Sequence, residues 1–179
     1  MKKKAQLIIF DLILLVLLVF ADQYTKYLAV INLKNQPAYS IIDGVFEFNY
    51  LENVGAAFGM LPNQKVFFVF IAIVFLCVIA FVIWKTPVKR KFISLHILLT
   101  MISAGAIGNM IDRLRLNYVV DFIYVPIVRL FGQPFPIFNI ADILVTVPTA
   151  ILIILIMFVY KDADFEFLSF KQRKYRELK

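Results

Sequence analysis

The sequence predicts an all-α polytopic membrane protein of four transmembrane helices, with a small β-hairpin-like element and a short interfacial helix in its outer loops. Of its 179 residues, 62% are hydrophobic and 17% are charged, an apolar excess beyond that of ordinary globular domains. The apolar residues come in blocks of about 20, the length that crosses a bilayer as a helix. The formal net charge of +7 does not indicate nucleic-acid binding, because the basic residues lie at the ends of apolar blocks and not along one polar face.

Four segments are predicted to span the membrane: residues 7–31, 66–84, 92–111 and 137–160. The first follows Lys2, Lys3 and Lys4, as the core of a signal peptide would. We interpret it as a retained helix, because it is too long for a signal peptide and no small-x-small cleavage site follows it. It also ends in the polar run Asp22-Gln-Tyr-Thr-Lys26.

The positions of lysine and arginine predict that both termini are cytoplasmic. Basic residues precede the first span, crowd the short loop 85–91 and follow the fourth span, whereas the two longer loops hold few of them. By the positive-inside rule, the longer loops lie outside. We therefore interpret residues 1–160 as one transmembrane domain with outer loops at about 32–65 and 112–136, and residues 161–179 as a basic cytoplasmic tail.

Both outer loops are expected to carry structure of their own. Residues 41–51 alternate apolar and polar side chains around the turn signal Asp43-Gly44, which favours a short strand pair. Residues 124–132 mix apolar side chains with Arg129, a pattern typical of a short helix lying along the membrane interface.

The fourth span carries a narrow polar stripe. At 100° per residue, four polar side chains fall on one face of the helix: Asn139, Asp142, Thr146 and Thr149. An ionisable group at the centre of a spanning helix costs roughly 2.5–3.5 kcal/mol on insertion scales. The stripe is therefore expected to face protein or water.

The other spans place polar residues toward the same leaflet. One face of the third span holds Gly105, Asn109, Asp112 and Arg113, although Asp112 and Arg113 also fit a simple interfacial ion pair. In the first span, Asp22 and Lys26 have the i, i+4 spacing and order of a favourable intrahelical pair. Asp11 and His96 lie toward the cytoplasmic side, where we expect a snorkelled or paired acid and a structural interfacial histidine.

Five motifs occur in order on these spans and loops: Asp22-Gln-Tyr-Thr-Lys26, Asn53-Val-Gly-Ala-Ala-Phe-Gly59, Gly105-Ala-Ile-Gly-Asn-Met-Ile-Asp-Arg113, Val119-Val-Asp-Phe122 and Phe138-Asn-Ile-Ala-Asp142. Together they resemble the motifs of the bacterial lipoprotein signal peptidases (signal peptidase II). The resemblance implies an aspartic endopeptidase that removes the signal peptide from diacylglyceryl-modified prolipoproteins, cleaving just before the lipidated cysteine.

The resemblance also implies roles for individual residues. Asp121 and Asp142 match the catalytic pair of the family, and Asp22 and Lys26 match a structural or positioning motif. Seven residues match positions that line the site or hold the substrate: Asn53, Gly55, Gly105, Asn109, Arg113, Asn139 and Ala141. The chain departs from the expected pattern at Ala104, where a second glycine is expected, and at Ile143, where a small residue is common.

A pair of carboxylates suits amide hydrolysis, which needs a base to activate water and an acid to polarise the carbonyl. Two close carboxylates do not readily both ionise, so one keeps a proton and the pair divides into acid and base. The residues alone do not decide which aspartate holds that proton. His96 is the only histidine and Cys77 the only cysteine; neither has a partner for another nucleophilic triad, and we expect neither a metal nor another cofactor.

The resemblance further implies a bacterial cell membrane location with the site facing the outer leaflet, contact with membrane lipids, and inhibition by globomycin-like cyclic peptides. We expect a monomer without a nucleic-acid partner. Two other classes were weighed: a small transporter or proton-coupled exporter, and a non-catalytic membrane assembly factor. A transporter would place polar residues through the full membrane depth and show related halves, whereas here the polar residues gather at one leaflet.

Overall fold

Four helices form most of the molecule. The computed structural model describes residues 2–55, 60–130 and 132–168, and within them lie α1 (Lys2–Leu33), α2 (Lys65–Lys85), α3 (Ile93–Leu116) and α4 (Ile140–Phe158). All four are long and apolar enough to cross a membrane. The predicted number of spans is confirmed, and the predicted tail beyond residue 168 lies outside the described residues.

Helix α3 is the centre of the bundle, since it packs against α1, α2 and α4. It buries far more of its surface than the others, which expose large apolar side chains along their lengths. Contiguous apolar surface of this extent is unfavourable in water. It suits helices whose outer faces contact hydrocarbon chains.

Helix α3 approaches α4 and α1 closely at two glycines, Gly105 and Gly108, which have no side chain. A Cβ atom on Gly105 would lie 2.8 Å from Val145 Cγ2 and 3.2 Å from Leu144 Cβ, and would collide with the carbonyl oxygen of Ala141. A Cβ atom on Gly108 would collide with the carboxylate of Asp22. Small residues at such contacts let helix backbones approach within a membrane.

A three-stranded antiparallel sheet covers one end of the bundle, which we call the sheet end. Its strands are β1 (Tyr39–Ile42), β2 (Phe46–Asn53) and β3 (Val119–Tyr124), in the order β1-β2-β3. The predicted strand pair is confirmed, and Gly44 takes the positive φ of +69° in its turn that glycine accommodates best. Strand β3 was not predicted. Its buried residues pack against Ala29 of α1: Val120, Phe122 and Ile123.

The predicted interfacial helix at 124–132 is wrong. Strand β3 continues to Tyr124, and the chain then turns into a small hairpin of β4 (Arg129–Leu130) and β5 (Gln133–Pro134). Gly132 has a positive φ of +79°, which favours the turn between these strands. The mixture of apolar and basic residues reflects an exposed hairpin and not a helical face.

Two helix boundaries at the sheet end also differ from prediction. Helix α3 continues beyond Ile111 to Leu116, where Asn117 ends it in the left-handed conformation with φ of 70°, a common helix stop. Helix α4 begins at Ile140 and not at 137, because Asn139 is its N-cap. These shifts place Asp112 and Arg113 inside a helix, and Asp142 in the first turn of one.

At the opposite end of the bundle, His96 is buried and is the partner of Asp11, which confirms the predicted paired acid. Its Nδ1 atom lies 2.7 Å from Asp11 Oδ2, joining α3 to α1. The chain beyond α4 forms a 3-10 helix at Asp162–Leu168, whose aromatic side chains pack beside Phe92 and Tyr160. This pair and this aromatic cluster close the end of the bundle away from the sheet.

Gly105→Ala is expected to destabilise the protein although alanine favours helix. In an exposed helix the change would stabilise by about 1 kcal/mol, but overpacking between α3 and α4 costs about 1–3 kcal/mol. Thermal unfolding in detergent should therefore show a Tm several degrees below wild type. A Tm equal to or above wild type would contradict the close α3–α4 contact.

Candidate active site

Asp121 lies on the central part of β3, between two asparagines supplied by its neighbours. Strand β2 flanks β3 on one side and ends at Asn53. On the other side, Phe138 exchanges two backbone hydrogen bonds with Ile123, at 2.8 and 3.0 Å, just before Asn139. Asn53 Nδ2 donates to Asp121 Oδ2 at 2.9 Å, and Asn139 Nδ2 donates to Asp121 Oδ1 at 2.6 Å.

Asp142 is held by the start of α4. The Asn139 side chain accepts the Asp142 backbone N–H at 2.9 Å, and Asp142 Oδ2 accepts the Asn139 backbone N–H at 3.0 Å. This reciprocal capping box satisfies two amides that the helix would leave unpaired. The positive end of the helix dipole also favours a carboxylate at this position. From α3, Asn109 Nδ2 donates to Asp142 Oδ1 at 2.8 Å.

Asn139 therefore joins the two aspartates. Its Oδ1 atom accepts the backbone N–H of Asp142, so its Nδ2 atom must be the one that faces Asp121. Asn53 is oriented in the same way, because its Oδ1 accepts the backbone N–H of Gly55 at 3.0 Å while its Nδ2 faces Asp121. Each amide thus presents its donor group to a carboxylate.

Arg113 reaches the same region from α3. Its guanidinium donates to the Gly55 carbonyl at 3.0 Å and to the Asn109 carbonyl at 3.2 Å. It also lies 4.9 Å from the ring centroid of Phe68 on α2, within the range of a cation–π contact. These contacts tie the segment after β2 to α3.

Beneath the aspartates lies a buried charged group on α1 and α3. Lys26 Nζ is 3.0 Å from Asp22 Oδ2 and 2.9 Å from Asp112 Oδ2. Asp112 therefore pairs with Lys26 and not with its neighbour Arg113. Gln23 was not singled out from the sequence, yet its amide donates to both Asp22 and Asp112. The sequence carries no local signal for this contact, because Asp112 lies 89 residues further along the chain.

A cavity of about 200 Å³ opens beside both aspartates. Its wall combines carboxylates, amides, the Arg113 guanidinium and apolar side chains from the segment before α4. The lining residues are Asn53, Asn109, Arg113, Val119, Asp121, Phe135, Pro136, Ile137, Phe138, Asp142 and Thr146. Residues from five separate parts of the chain thus meet around one space.

Four of the seven residues predicted to line the site or hold the substrate do not line this cavity: Gly55, Gly105, Asn139 and Ala141. Gly105 is at the α3–α4 contact, and Ala141 is fully buried with its N–H donated to Asp22. Residues 135–138 on the wall were not predicted as site residues: the sequence assigns 135 and 136 to the outer loop and 137 and 138 to the start of the fourth span.

A larger cavity of about 390 Å³ lies between α1, α2 and α3, nearer the opposite end of the bundle. Its wall is almost entirely apolar, and Asp11 is the acid that reaches it. That acid is already paired with His96. The smaller polar cavity is therefore the better candidate for hydrolytic chemistry. Among the residues the structure describes, no group of three histidine, cysteine or acidic side chains is placed to hold a metal ion.

Known proteins supply an independent assignment. The model of the family described as signal peptidase (SPase) II matches residues 14–158 of the chain. The chain belongs to this family. A lipoprotein signal peptidase of Clostridium tetani is 38% identical over 156 residues, 87% of this chain and 96% of that protein. One from Caldanaerobacter subterraneus is 41% identical over 148 residues, 82% and 95% of the two chains.

The fold agrees with signal peptidase II membership. A bacterial membrane enzyme solved by the in meso method superposes with a TM-score of 0.71 at 31% identity, covering 84% of this chain and 94% of that one. A second such structure gives a TM-score of 0.70 at 30% identity. The protein is thus an aspartic peptidase of the membrane, in a family that removes signal peptides from prolipoproteins. Neither the transporter nor the assembly-factor alternative fits this membership.

The environment of Asp121 favours its protonated form. Burial, followed by the nearby charge of Asp142, raises the pKa of Asp121 to about 7, although hydrogen bonds from Asn53 and Asn139 act in the opposite direction. An acid whose pKa is higher in the folded state binds its proton more tightly there. The contribution of Asp121 to the free energy of unfolding is fully present below the unfolded pKa of about 3.9. It is lost as the pH rises through the folded pKa of about 7.

The thermal stability of this signal peptidase should therefore fall between about pH 4 and pH 8. Asp121→Asn removes the titrating group, so its Tm should depend less on pH over the same interval. Asp43→Asn, in the exposed turn between β1 and β2, is the matched control and should follow wild type. The measurement is the difference between the Tm–pH curves in detergent, and parallel curves for wild type and Asp121→Asn would refute the assignment.

Proposed function

We propose that this signal peptidase hydrolyses the peptide bond just before the diacylglyceryl-modified cysteine of prolipoproteins, using Asp121 and Asp142 as a catalytic pair. The observation that carries the proposal is the position of Asn139. Its side chain holds Asp121 while its backbone holds Asp142, at the wall of one polar cavity. Carboxylates from a strand and a helix are thereby directed to the same space.

The pair supplies both an acid and a base for amide hydrolysis. We assign Asp142 as the base, because Asn109 Nδ2 and the backbone N–H of Asn139 donate to its two oxygens, so that both oxygens act as acceptors. Asp121 suits the acid, since its environment favours the proton. In this mechanism Asp142 takes a proton from water as the water attacks the carbonyl carbon, while Asp121 donates its proton to the carbonyl oxygen. The tetrahedral intermediate then collapses: the C–N bond breaks, Asp142 passes its proton to the leaving nitrogen, and Asp121 takes one back from the hydroxyl as the carboxyl group of the product forms.

The remaining polar groups of the cavity would hold the substrate backbone. Asn53, Asn109 and Arg113 line it, and Gly55 keeps Arg113 in place through its carbonyl. Gly105 and Ala141 would act by letting α3 and α4 approach, and Asp22 and Lys26 by supporting the wall from behind. The apolar residues of the 135–138 segment give the bound peptide a partly dry surface, which strengthens hydrogen bonds to it.

The distribution of basic residues supports an outer-leaflet site. Lysines crowd both the start of α1 and the loop after α2, at the end of the bundle opposite the sheet. By the positive-inside rule we expect that end to be cytoplasmic, and we propose that the sheet and the cavity lie at the outer face of the bacterial cell membrane. A cysteine anchored there by two acyl chains would present its peptide bond at this depth. We propose further that the enzyme is monomeric, contacts membrane lipids directly and is inhibited by globomycin-like cyclic peptides.

Asp121→Asn and Asp142→Asn should each lower cleavage by about 100- to 10,000-fold, the usual contribution of a positioned acid or base. The assay is cleavage of a purified diacylglyceryl-modified prolipoprotein, with the unlipidated precursor as a substrate control. Asp43→Asn, an exposed acid of the same sheet, should retain wild-type activity. Full activity in either Asp121→Asn or Asp142→Asn would disprove the assignment.

The orientation can be tested with single cysteines in a Cys77→Ala background. A cysteine replacing Asp43 should react with a membrane-impermeant maleimide in cells whose cell membrane is intact. A cysteine replacing Lys89 should react only after the membrane is opened. The reverse pattern would place the sheet in the cytoplasm and exclude an outer-leaflet site.

A further inference from the structure

We infer that Lys26 is a positioning residue that sets the location of the two aspartates relative to each other. It does so by holding two buried carboxylates, Asp22 and Asp112, each of which accepts the backbone N–H directly before one member of the catalytic pair. We call these three residues the Lys26 clamp. The inference depends on the proposed roles of Asp121 and Asp142.

The first half of the clamp reaches Asp142. Asp22 is fully buried, and its Oδ1 atom accepts the backbone N–H of Ala141 at 2.9 Å. Asp22 lies on α1 and Ala141 in the first turn of α4. This hydrogen bond therefore fixes where the start of α4 lies against α1, and with it the backbone of the next residue, Asp142.

The second half reaches Asp121 in the same way. Asp112 is buried near the end of α3, and its Oδ2 atom accepts the backbone N–H of Val120 at 3.1 Å. Val120 is on β3 and is almost fully buried. Asp112 thus fixes the height of β3 above α3, and with it the backbone of Asp121.

The ammonium of Lys26 connects the two halves. It lies 3.0 Å from Asp22 Oδ2 and 2.9 Å from Asp112 Oδ2, and its side chain is 3% exposed. Its third contact, at 2.9 Å, is Asn109 Oδ1. An ammonium has three N–H donors and no acceptor, so these contacts satisfy it completely. They also force the Nδ2 of Asn109 toward Asp142.

A positive charge is required where the Lys26 ammonium lies, and a neutral side chain of the same size would not hold the two carboxylates together. Two ionised carboxylates that share a buried site repel each other unless a cation lies between them. Gln23 also donates to both Asp22 and Asp112, but its amide is neutral. Without Lys26 the two carboxylates would separate or one would take up a proton, and either change moves the backbone before one catalytic aspartate.

Lys26→Met, which keeps the length and loses the charge, is therefore expected to lower kcat about 100-fold, since a displacement of about 1 Å at an active site has effects of this size. The KM should change less than about threefold, because Asn109 is the one group among those proposed to hold the substrate that contacts Lys26, while Asn53 and Arg113 keep their contacts with Gly55. The assay is steady-state cleavage of the diacylglyceryl-modified prolipoprotein.

Loss of stability must be separated from loss of position. Asp11→Asn is the matched control, because it changes the carboxylate of the buried Asp11–His96 contact between α1 and α3, at the end of the bundle away from the cavity. It should lower Tm yet leave kcat within about twofold of wild type. Lys26→Met combined with Asp112→Asn restores the net charge of the site, so Tm should recover while kcat stays low. The inference would be overturned if the double variant recovered kcat as well as Tm. It would also be overturned if Asp11→Asn lost as much kcat as Lys26→Met.

A measurement independent of catalysis decides the inference whatever the substrate proves to be. Hydrogen exchange in detergent should be faster in Lys26→Met at the amides of Val120 and Ala141, the two N–H groups held by the clamp. In Asp11→Asn these amides should exchange as in wild type. Unchanged exchange in Lys26→Met would overturn the clamp. If the wild-type protein does not cleave the prolipoprotein but these two amides exchange faster in Lys26→Met, the proposed substrate is refuted and the clamp is supported.

Discussion

The close approach of α3 to its neighbours at Gly105 and Gly108 is the constraint on which the rest of the site depends. The missing side chain at Gly108 leaves the space that the carboxylate of Asp22 occupies. The missing side chain at Gly105 lets the start of α4 lie against α3. Only in this arrangement can α1, α3 and α4 contribute to one hydrogen-bonded group, because asparagine and aspartate side chains are too short to bridge wider gaps.

The same arrangement explains how charged groups are accommodated between helices that cross a membrane. Asp22, Lys26 and Asp112 are almost completely buried, which is costly unless each charge is paired and hydrogen-bonded. Here backbone N–H groups, the Gln23 amide and the side-chain Oδ1 of Asn109 complete their contacts. A buried charge so fully satisfied resists rearrangement, since any movement leaves several polar groups unpaired at once.

The four spans could be predicted from the sequence because bilayer thickness fixes the length of the apolar block that a spanning helix needs. The strand pair could be predicted because apolar and polar residues alternate around the turn signal Asp43-Gly44. The motifs named the main site residues. The strand at Val119–Tyr124 was missed because it is largely buried and so lacks the alternation of a half-exposed strand. The helix predicted at 124–132 failed because a short apolar and basic segment fits a hairpin equally well. Contacts between distant segments, such as Gln23 with Asp112, have no local signal.

The capping box at Asn139 has a consequence for the order in which the enzyme is made. The contacts that hold Asp121 and Asp142 are also the contacts that begin α4, and α4 follows the other three helices along the chain. A growing polypeptide that lacks α4 can carry Asp121 but has neither Asp142 nor Asn139, one of the two asparagines that donate to Asp121. On the proposed roles of Asp121 and Asp142, hydrolytic capacity arises in one step, when the last helix docks, and a half-made copy does not cut other proteins emerging beside it.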